Sequence, residues 1–119
     1  MTAPRTVLLV TGDLFFVARV RTAARHLGVE IVTATPATVA AACRDARPAR
    51  VLIDLHAAGA LGAVRALRAD AALAAIPVTG YYSHVDDALR RDALAAGVDQ
   101  AMPRSAFTVK LASLLSGGE

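Results

Sequence analysis

The stretch Val51-Leu52-Ile53-Asp54-Leu55 decides how the chain folds and where its chemistry lies. All of its residues but one are apolar, and such a run is typical of a parallel strand that is covered on both faces. Asp54 stands at its carboxyl end, where open α/β sheets place their binding sites. Because an isolated buried carboxylate is costly, we expect a cation, a metal or hydrogen-bond donors around Asp54.

Outward from this strand, short apolar runs alternate with longer amphipathic stretches. Further strands are predicted at residues 6–11, 29–34, 76–82 and 98–102. Helices are predicted over residues 13–27, from Thr35-Pro36 onward, and over residues 61–70, 85–96 and 105–115. Ser83 or His84 is expected to cap the fourth helix and Ser105 the fifth. Five such βα units predict one parallel sheet with right-handed crossovers and helices on both faces.

The composition narrows the classes of protein. A chain of 119 residues fits a single domain, residues 1–119. Charged residues interrupt every apolar run before it reaches the roughly 18 to 20 residues of a membrane span, and the amino end leaves no room for a secretory signal. Cys43 has no second cysteine to pair with and is expected to be a core residue in a reducing compartment. We therefore expect a cytoplasmic protein without a membrane partner.

Charge and motif patterns give little sign of nucleic-acid binding or of common catalytic sites. The net charge of +3 is mild and the basic residues are scattered, although Arg19, Arg21 and Arg25 lie on the first helix. The segment 11–13 lies between a strand and a helix but lacks the further glycines of a phosphate-binding loop. The histidines are too dispersed for a zinc site, and no Ser-His-Asp or Cys-His pattern is evident. Neither a nucleic-acid partner nor a metal is expected.

Over essentially its whole length the sequence resembles the CheY-like receiver domains of bacterial two-component response regulators. The resemblance lies in the segments VLLV (7–10), VLID (51–54), IPV (76–78) and AAGVD (95–99). It implies a flavodoxin-like (βα)5 fold, which is a doubly wound, five-stranded parallel sheet of order 2-1-3-4-5. It also implies that Asp54 occupies the position of the aspartate that receivers phosphorylate.

The metal-binding positions depart from the receiver pattern. In receivers a pair of acids after the first strand joins the acceptor aspartate in binding Mg²⁺, and here these positions are Thr11 and Gly12. Mg²⁺ needs oxygen ligands with carboxylates among them. Asp13 is one residue further along, where it could move inward to a metal or cap the first helix. We favour the capping role.

The phosphoryl-binding positions depart as well. The Thr or Ser that follows the fourth strand in receivers is Tyr82 here, and its longer side chain is expected to fill the phosphoryl pocket. Ser83 could supply the missing hydroxyl only if the loop shifted. The Lys-Pro step after the fifth strand becomes Arg104-Ser105, and an always-charged arginine suits a permanent pair with Asp54. With such a pair, Arg104→Ala would cost about 3 to 5 kcal/mol, since it would leave a buried unpaired charge.

We interpret the chain as a stand-alone pseudo-receiver, a signalling interaction module that is not an enzyme, needs no cofactor and is not phosphorylated with Mg²⁺. The alternative is a divergent phosphoacceptor in a phosphorelay, which would use Asp54 with Asp13, Ser83, Arg104 and Mg²⁺. A small-ligand binder of the same topology also stays open. The resemblance implies a protein partner, which would be a histidine kinase, an effector or a second copy of the chain.

The resemblance also suggests where a partner would bind. Receivers use either the first helix or the face that the fourth helix, fifth strand and fifth helix form together. On the latter face the candidate exposed residues are Arg90, Arg91, Gln100, Thr108 and Lys110. Ala101 occupies the position where many receivers carry an aromatic that rotates on phosphorylation. A switch of that kind is therefore not expected.

Overall fold

The computed structural model describes residues 5–83 and 86–117 of the chain. Strands and helices alternate through these residues. The elements are β1 (Arg5–Val10), α1 (Leu14–Leu27), β2 (Val29–Ala34), a short 3₁₀ helix (Pro36–Thr38), α2 (Val39–Ala46), β3 (Arg50–Asp54), α3 (Ala60–Ala69), β4 (Val78–Tyr82), α4 (Asp87–Ala96), β5 (Gln100–Pro103) and α5 (Arg104–Ser116). None of the described helices is long and apolar enough to cross a membrane.

The strands form one parallel sheet in the order β2-β1-β3-β4-β5. This confirms the predicted fold class and strand order. The central strands are apolar throughout because both of their faces are covered by helices. In β1, Leu8 and Val10 point into the core cluster that α2, α3 and α4 cover, whereas Val7 and Leu9 point into the one that α1 and α5 cover. The side chains alternate in this way because successive residues of a strand face opposite sides.

Two buried residues illustrate how closely the layers pack. Cys43 is fully buried in α2, which confirms the prediction that it is a core residue. Gly80 lies in β4 beneath Leu55, and a Cβ atom at position 80 would stand 2.6 Å from Cδ2 of Leu55. Glycine therefore allows the residue that follows β3 to pack directly on β4.

The beginnings of two helices differ from the prediction. Asp86 precedes α4, and its side chain accepts a hydrogen bond from the backbone N–H of Leu89 at 2.9 Å. Ser83 is therefore not the cap, and His84, the other predicted cap, lies outside the described residues. The strand β5 runs straight into α5, so that Ser105 already lies in the first helical turn and does not cap it. Asp86 caps α4 because its short carboxylate reaches the free N–H groups of the first turn.

Candidate functional site

Asp54 ends β3 at the carboxyl edge of the sheet, as predicted. It pairs in register with Tyr81 of β4. One carboxylate oxygen, Oδ1, accepts a hydrogen bond from the backbone N–H of His56 at 2.9 Å. The side chain is half-buried and not enclosed, so the expectation of a buried anion is wrong. Because Asp54 is the last residue of its strand, the loop that follows leaves part of it in contact with solvent.

Arg104 does not pair with Asp54. Its Nη2 donates to Oδ2 of Asp13 at 3.0 Å, and this is the ion pair that it forms among the described residues. The predicted pair between Arg104 and Asp54 is therefore wrong. The reason lies in the packing of the helices: α1 and α5 cover the same face of the sheet, and each begins beside the other at its carboxyl edge. This brings Asp13 to the guanidinium of Arg104.

The guanidinium of Arg104 also lies against an aromatic cluster. Its Cζ atom is 4.4 Å from the ring centroid of Phe16 and 6.0 Å from that of Tyr81. Phe107 completes the cluster, with centroid distances of 4.7 Å to Tyr81 and 5.8 Å to Phe16. A cation over an aromatic face is attracted by the negative charge density of the ring. Arg104 is therefore held by Asp13 on one side and by the Phe16 ring on the other.

Asp13 has two roles in the structure. Its Oδ1 accepts a hydrogen bond from the backbone N–H of Phe16 at 3.1 Å, which confirms that Asp13 caps α1. Its Oδ2 accepts from Arg104. The Phe16 N–H and the Arg104 guanidinium hold the pKa of Asp13 below its usual value. Both oxygens are engaged, so Asp13 would have to give up one of these partners to bind a metal.

The other residues after β1 supply no carboxylate. Thr11 is half-buried, and its Oγ1 accepts from the backbone N–H of Asp13 at 3.2 Å. Gly12 is exposed and has no side chain. Within residues 5–83 and 86–117, no group of three or more His, Cys, Asp and Glu side chains is arranged to hold a metal ion. Mg²⁺ is usually held by one or two carboxylates together with water molecules. Among the sequence positions just after β1 the acid is Asp13, and both of its oxygens are already engaged.

Tyr81 belongs to the site and was missed by sequence reasoning. Only 2% of it is exposed, and its hydroxyl has no hydrogen-bond partner among the described residues. Burial raises its pKa to about 12, while the nearby Thr11 hydroxyl acts in the opposite direction and the charge of Asp54 adds to the increase. Tyr81 and Asp54 are register partners on neighbouring strands, so the charge of Asp54 acts on this hydroxyl. The sequence did hold one signal for this residue, since a tyrosine within a strand predicted to be buried brings a polar hydroxyl into the core.

The side chains of Tyr82 and Ser83, which the sequence placed at the phosphoryl-binding position, do not lie beside that of Tyr81. Tyr82 faces the opposite side of the sheet, where it is buried in the cluster that contains Leu55 and Ala101. Ser83 is exposed. The expectation that Tyr82 fills the space beside Asp54 is therefore wrong, because alternate residues of β4 face opposite sides of the sheet and Tyr81 is the one on the Asp54 side. That Ser83 does not replace the missing hydroxyl remains a prediction.

The predicted partner face is mostly open to solvent. Arg90, Arg91, Gln100 and Lys110 are exposed. Thr108 is instead half-buried, and its hydroxyl donates to the carbonyl oxygen of Arg104 one helical turn earlier. Three strongly exposed apolar residues were not singled out from the sequence. They are Val109 of α5 and, at the beginning of α1, Leu14 and the 91% exposed Phe15.

Comparisons with known proteins bear on the fold. No protein-family model matches the chain, and a comparison with curated proteins gives no match. Among solved structures, the signal receiver domain of NarL from Mycobacterium tuberculosis matches with a TM-score of 0.81 at 17% identity, covering 99% of this chain and all of that one.

Two further solved structures are similar. The receiver domain of the sensor histidine kinase PA1611 from Pseudomonas aeruginosa, with a magnesium ion coordinated in its active-site cleft, has a TM-score of 0.78 at 18% identity, over 98% of this chain and 100% of that chain. The phosphorylated cyanobacterial phytochrome response regulator RcpA has a TM-score of 0.79 at 19% identity, covering 97% of this chain and 91% of that one. The chain therefore has the flavodoxin-like fold of response-regulator receiver domains.

Proposed function

We propose that this chain is a pseudo-receiver, a signalling module that binds a protein partner and is not phosphorylated on Asp54 with Mg²⁺. The observation that carries the proposal is the engagement of Asp13. Its two oxygens accept from the Phe16 backbone and from Arg104. A metal that bound Asp13 would therefore have to displace either the Phe16 N–H, which Asp13 caps, or the Arg104 guanidinium, with which Asp13 forms an ion pair.

The donor set around Asp54 supports the same proposal. Thr11 and Gly12 provide no negative charge to balance a divalent cation. Phosphoryl transfer depends on positioning and on neutralising the charge of the phosphoryl oxygens, to which bound metal ions contribute strongly. Arg104 carries the positive charge that could assist, but Asp13 and Phe16 hold it. In this proposal the chain retains the fold as a surface for recognition and is not an enzyme.

A titration monitored by NMR tests the proposal. We expect millimolar Mg²⁺, alone and with beryllofluoride, to leave the amide signals of residues 11–13, 54–57 and 104 unchanged. A variant with Thr11→Asp and Gly12→Asp serves as the positive control, since it adds two carboxylates at this edge of the sheet and should gain a Mg²⁺ response. Saturable shifts around Asp54 in the unmodified chain would contradict the proposal.

A phosphoacceptor on Asp54 is the second candidate, because one observation favours it. Asp54 is half-exposed and its charge is not neutralised by Arg104, so a phosphodonor could reach its carboxylate. Incubation with acetyl phosphate and Mg²⁺ should then add the mass of one phosphoryl group, and Asp54→Asn should abolish the addition. We expect no such addition to the unmodified chain.

The partner in this proposal is a protein, which is a histidine kinase, an effector or a second copy of the chain in the bacterial cytoplasm, and not a nucleic acid. Arg90 and Leu94 lie one turn apart on α4 and both are exposed, and Val109 of α5 is exposed as well. Apolar groups rimmed by charged ones are typical of protein-binding surfaces. These residues extend the predicted face beyond its polar members.

A further inference from the structure

A cavity lies at the opposite end of the sheet from Asp54. Its volume is about 430 Å³, within the range of small-molecule sites. It is formed between the end of α2 and the connection from α3 to β4. Both segments lead into the amino ends of their strands, whereas Asp54 marks the carboxyl end of β3. The cavity is therefore separate from the candidate site described above.

The lining of the cavity is apolar inside and basic at its opening. The deepest residues are Cys43, which is fully buried, and Leu73, which is nearly so. Burial raises the pKa of the Cys43 thiol, so this part of the lining is uncharged. The charged residues of the lining, Arg44 and Arg47, are exposed. Arg44 is held across the opening by Asp70, to which its Nη2 donates at 2.6 Å.

Arg47 occupies an unusual backbone position for its residue type. It ends α2 in the left-handed region, with φ 46° and ψ 59°, and it is the sole non-glycine residue with positive φ in the described part of the chain. The other helices that end in this conformation use Gly28, Gly97 and Gly117. Glycine is preferred there because a Cβ atom is disfavoured sterically.

Arg47 is exposed at the opening of the cavity. It lines the cavity and takes part in no ion pair within the described residues, while Arg44 is already paired with Asp70. A strained position that keeps a large charged side chain is a reason to look for a function of that side chain. An apolar cavity whose opening carries Arg47, which forms no ion pair within the described residues, complements a molecule with an apolar body and one anionic end.

We propose that this cavity binds a small amphipathic monocarboxylate, with its chain among Cys43, Leu73 and Ile76 and its carboxylate on Arg47. The proposal is independent of the function assigned to the Asp54 site. Octanoate is a suitable probe, and binding is followed through the amide signals of these residues by NMR. Saturable shifts confined to the cavity are expected, with affinity rising from butanoate to octanoate as more apolar surface is buried.

Matched variants separate a ligand contact from a structural role. Arg47→Gly relieves the backbone strain, so we expect its melting temperature to rise by a few degrees, while octanoate affinity falls about tenfold through the loss of a charge-assisted hydrogen bond. Arg47→Lys keeps the charge and should retain most of the binding. Uncharged 1-octanol should bind the unmodified chain and the glycine variant equally. The proposal is overturned if octanoate does not bind saturably or if Arg47→Gly binds it as tightly as the unmodified chain.

Discussion

At the scale of single residues, Arg104 shows how the neighbours of a charge decide its partner. The sequence predicted a pair with Asp54, because Arg104 occupies the position of the receiver lysine and an arginine is always charged. In the structure it instead bridges Asp13 and the Phe16 ring. Its side chain is 38% exposed, so solvent screens the ion pair. The contribution of Arg104 to stability should therefore be modest.

For Arg104→Ala we expect a loss of about 1 kcal/mol in the free energy of unfolding, mostly from the contact with the aromatic cluster. This is smaller than the loss expected for a buried pair with Asp54. Urea denaturation measures it, with Arg90→Ala as the control for removing an exposed arginine. A loss of more than about 3 kcal/mol would instead indicate a buried and desolvated pair.

The buried hydroxyl of Tyr81 leads to a second prediction. Because it has no hydrogen-bond partner among the described residues, its burial costs desolvation energy that a phenyl ring avoids. We expect Tyr81→Phe to increase the free energy of unfolding by about 1 kcal/mol. If this substitution destabilises the protein, the hydroxyl has a partner after all, and the nearby Thr11 hydroxyl is the candidate.

Because the pKa of Tyr81 is raised, Tyr81→Phe should also change how the stability of the protein depends on pH in the alkaline range. Its pKa is about 12 in the fold against 10.0 for an ordinary tyrosine, so the folded state holds the phenolic proton more tightly. The resulting stabilisation is complete below pH 10 and is lost as the pH rises to 12. The melting temperature measured at a series of pH values between 10 and 12 checks this prediction. Tyr81→Phe should remove this loss of stability, whereas the control Tyr82→Phe should still show it.

At the scale of elements, Arg68 connects segments that are distant in the chain. Its guanidinium donates to the carbonyl oxygens of Gly97, Ala74 and Ile76, each at 2.8 Å, and to the Asp99 carboxylate at 2.9 Å. A Cβ atom at position 97 would stand only 2.5 Å from the Cγ of Arg68, so Gly97 is needed both for its positive φ and for this close approach. Arg68 thus joins α3 to the segments that lead into β4 and β5.

Removing Arg68 should be costly because several backbone carbonyls lose a charged donor at once. We expect Arg68→Ala to lower the free energy of unfolding by at least about 2 kcal/mol. Arg65→Ala on the same helix is the control, since Arg65 is exposed, and its effect should stay within about 0.5 kcal/mol. Equal effects of the two substitutions in urea denaturation would show that the Arg68 contacts contribute no net stability.

At the scale of the whole molecule, the parallel sheet separates two regions. All strands point the same way, so the loops that follow them gather Asp54, Asp13 and Arg104 at one edge. The proposed carboxylate cavity lies at the other edge, where the chain enters β3 and β4. The Asp54 site and the proposed ligand cavity therefore lie on different surfaces, and variants of one need not disturb the other.

The order and type of the elements were determined by the sequence alone. Apolar runs such as residues 51–55 have to be covered on both faces, and their alternation with amphipathic stretches leaves few arrangements other than a doubly wound parallel sheet. The capping role of Asp13 and the burial of Cys43 followed from local rules as well. These features depend on residues close in the chain or on how apolar a segment is.

Only the tertiary structure decided which charges and rings meet. The pairing of Arg104 with Asp13 joins residues 91 positions apart, and it depends on how α1 and α5 pack beside each other. The same holds for the burial of the Tyr81 hydroxyl and for the cavity at Arg47. Side-chain contacts of this kind are set by distances of a few ångströms between separate elements, and periodicity in the sequence carries no information on them.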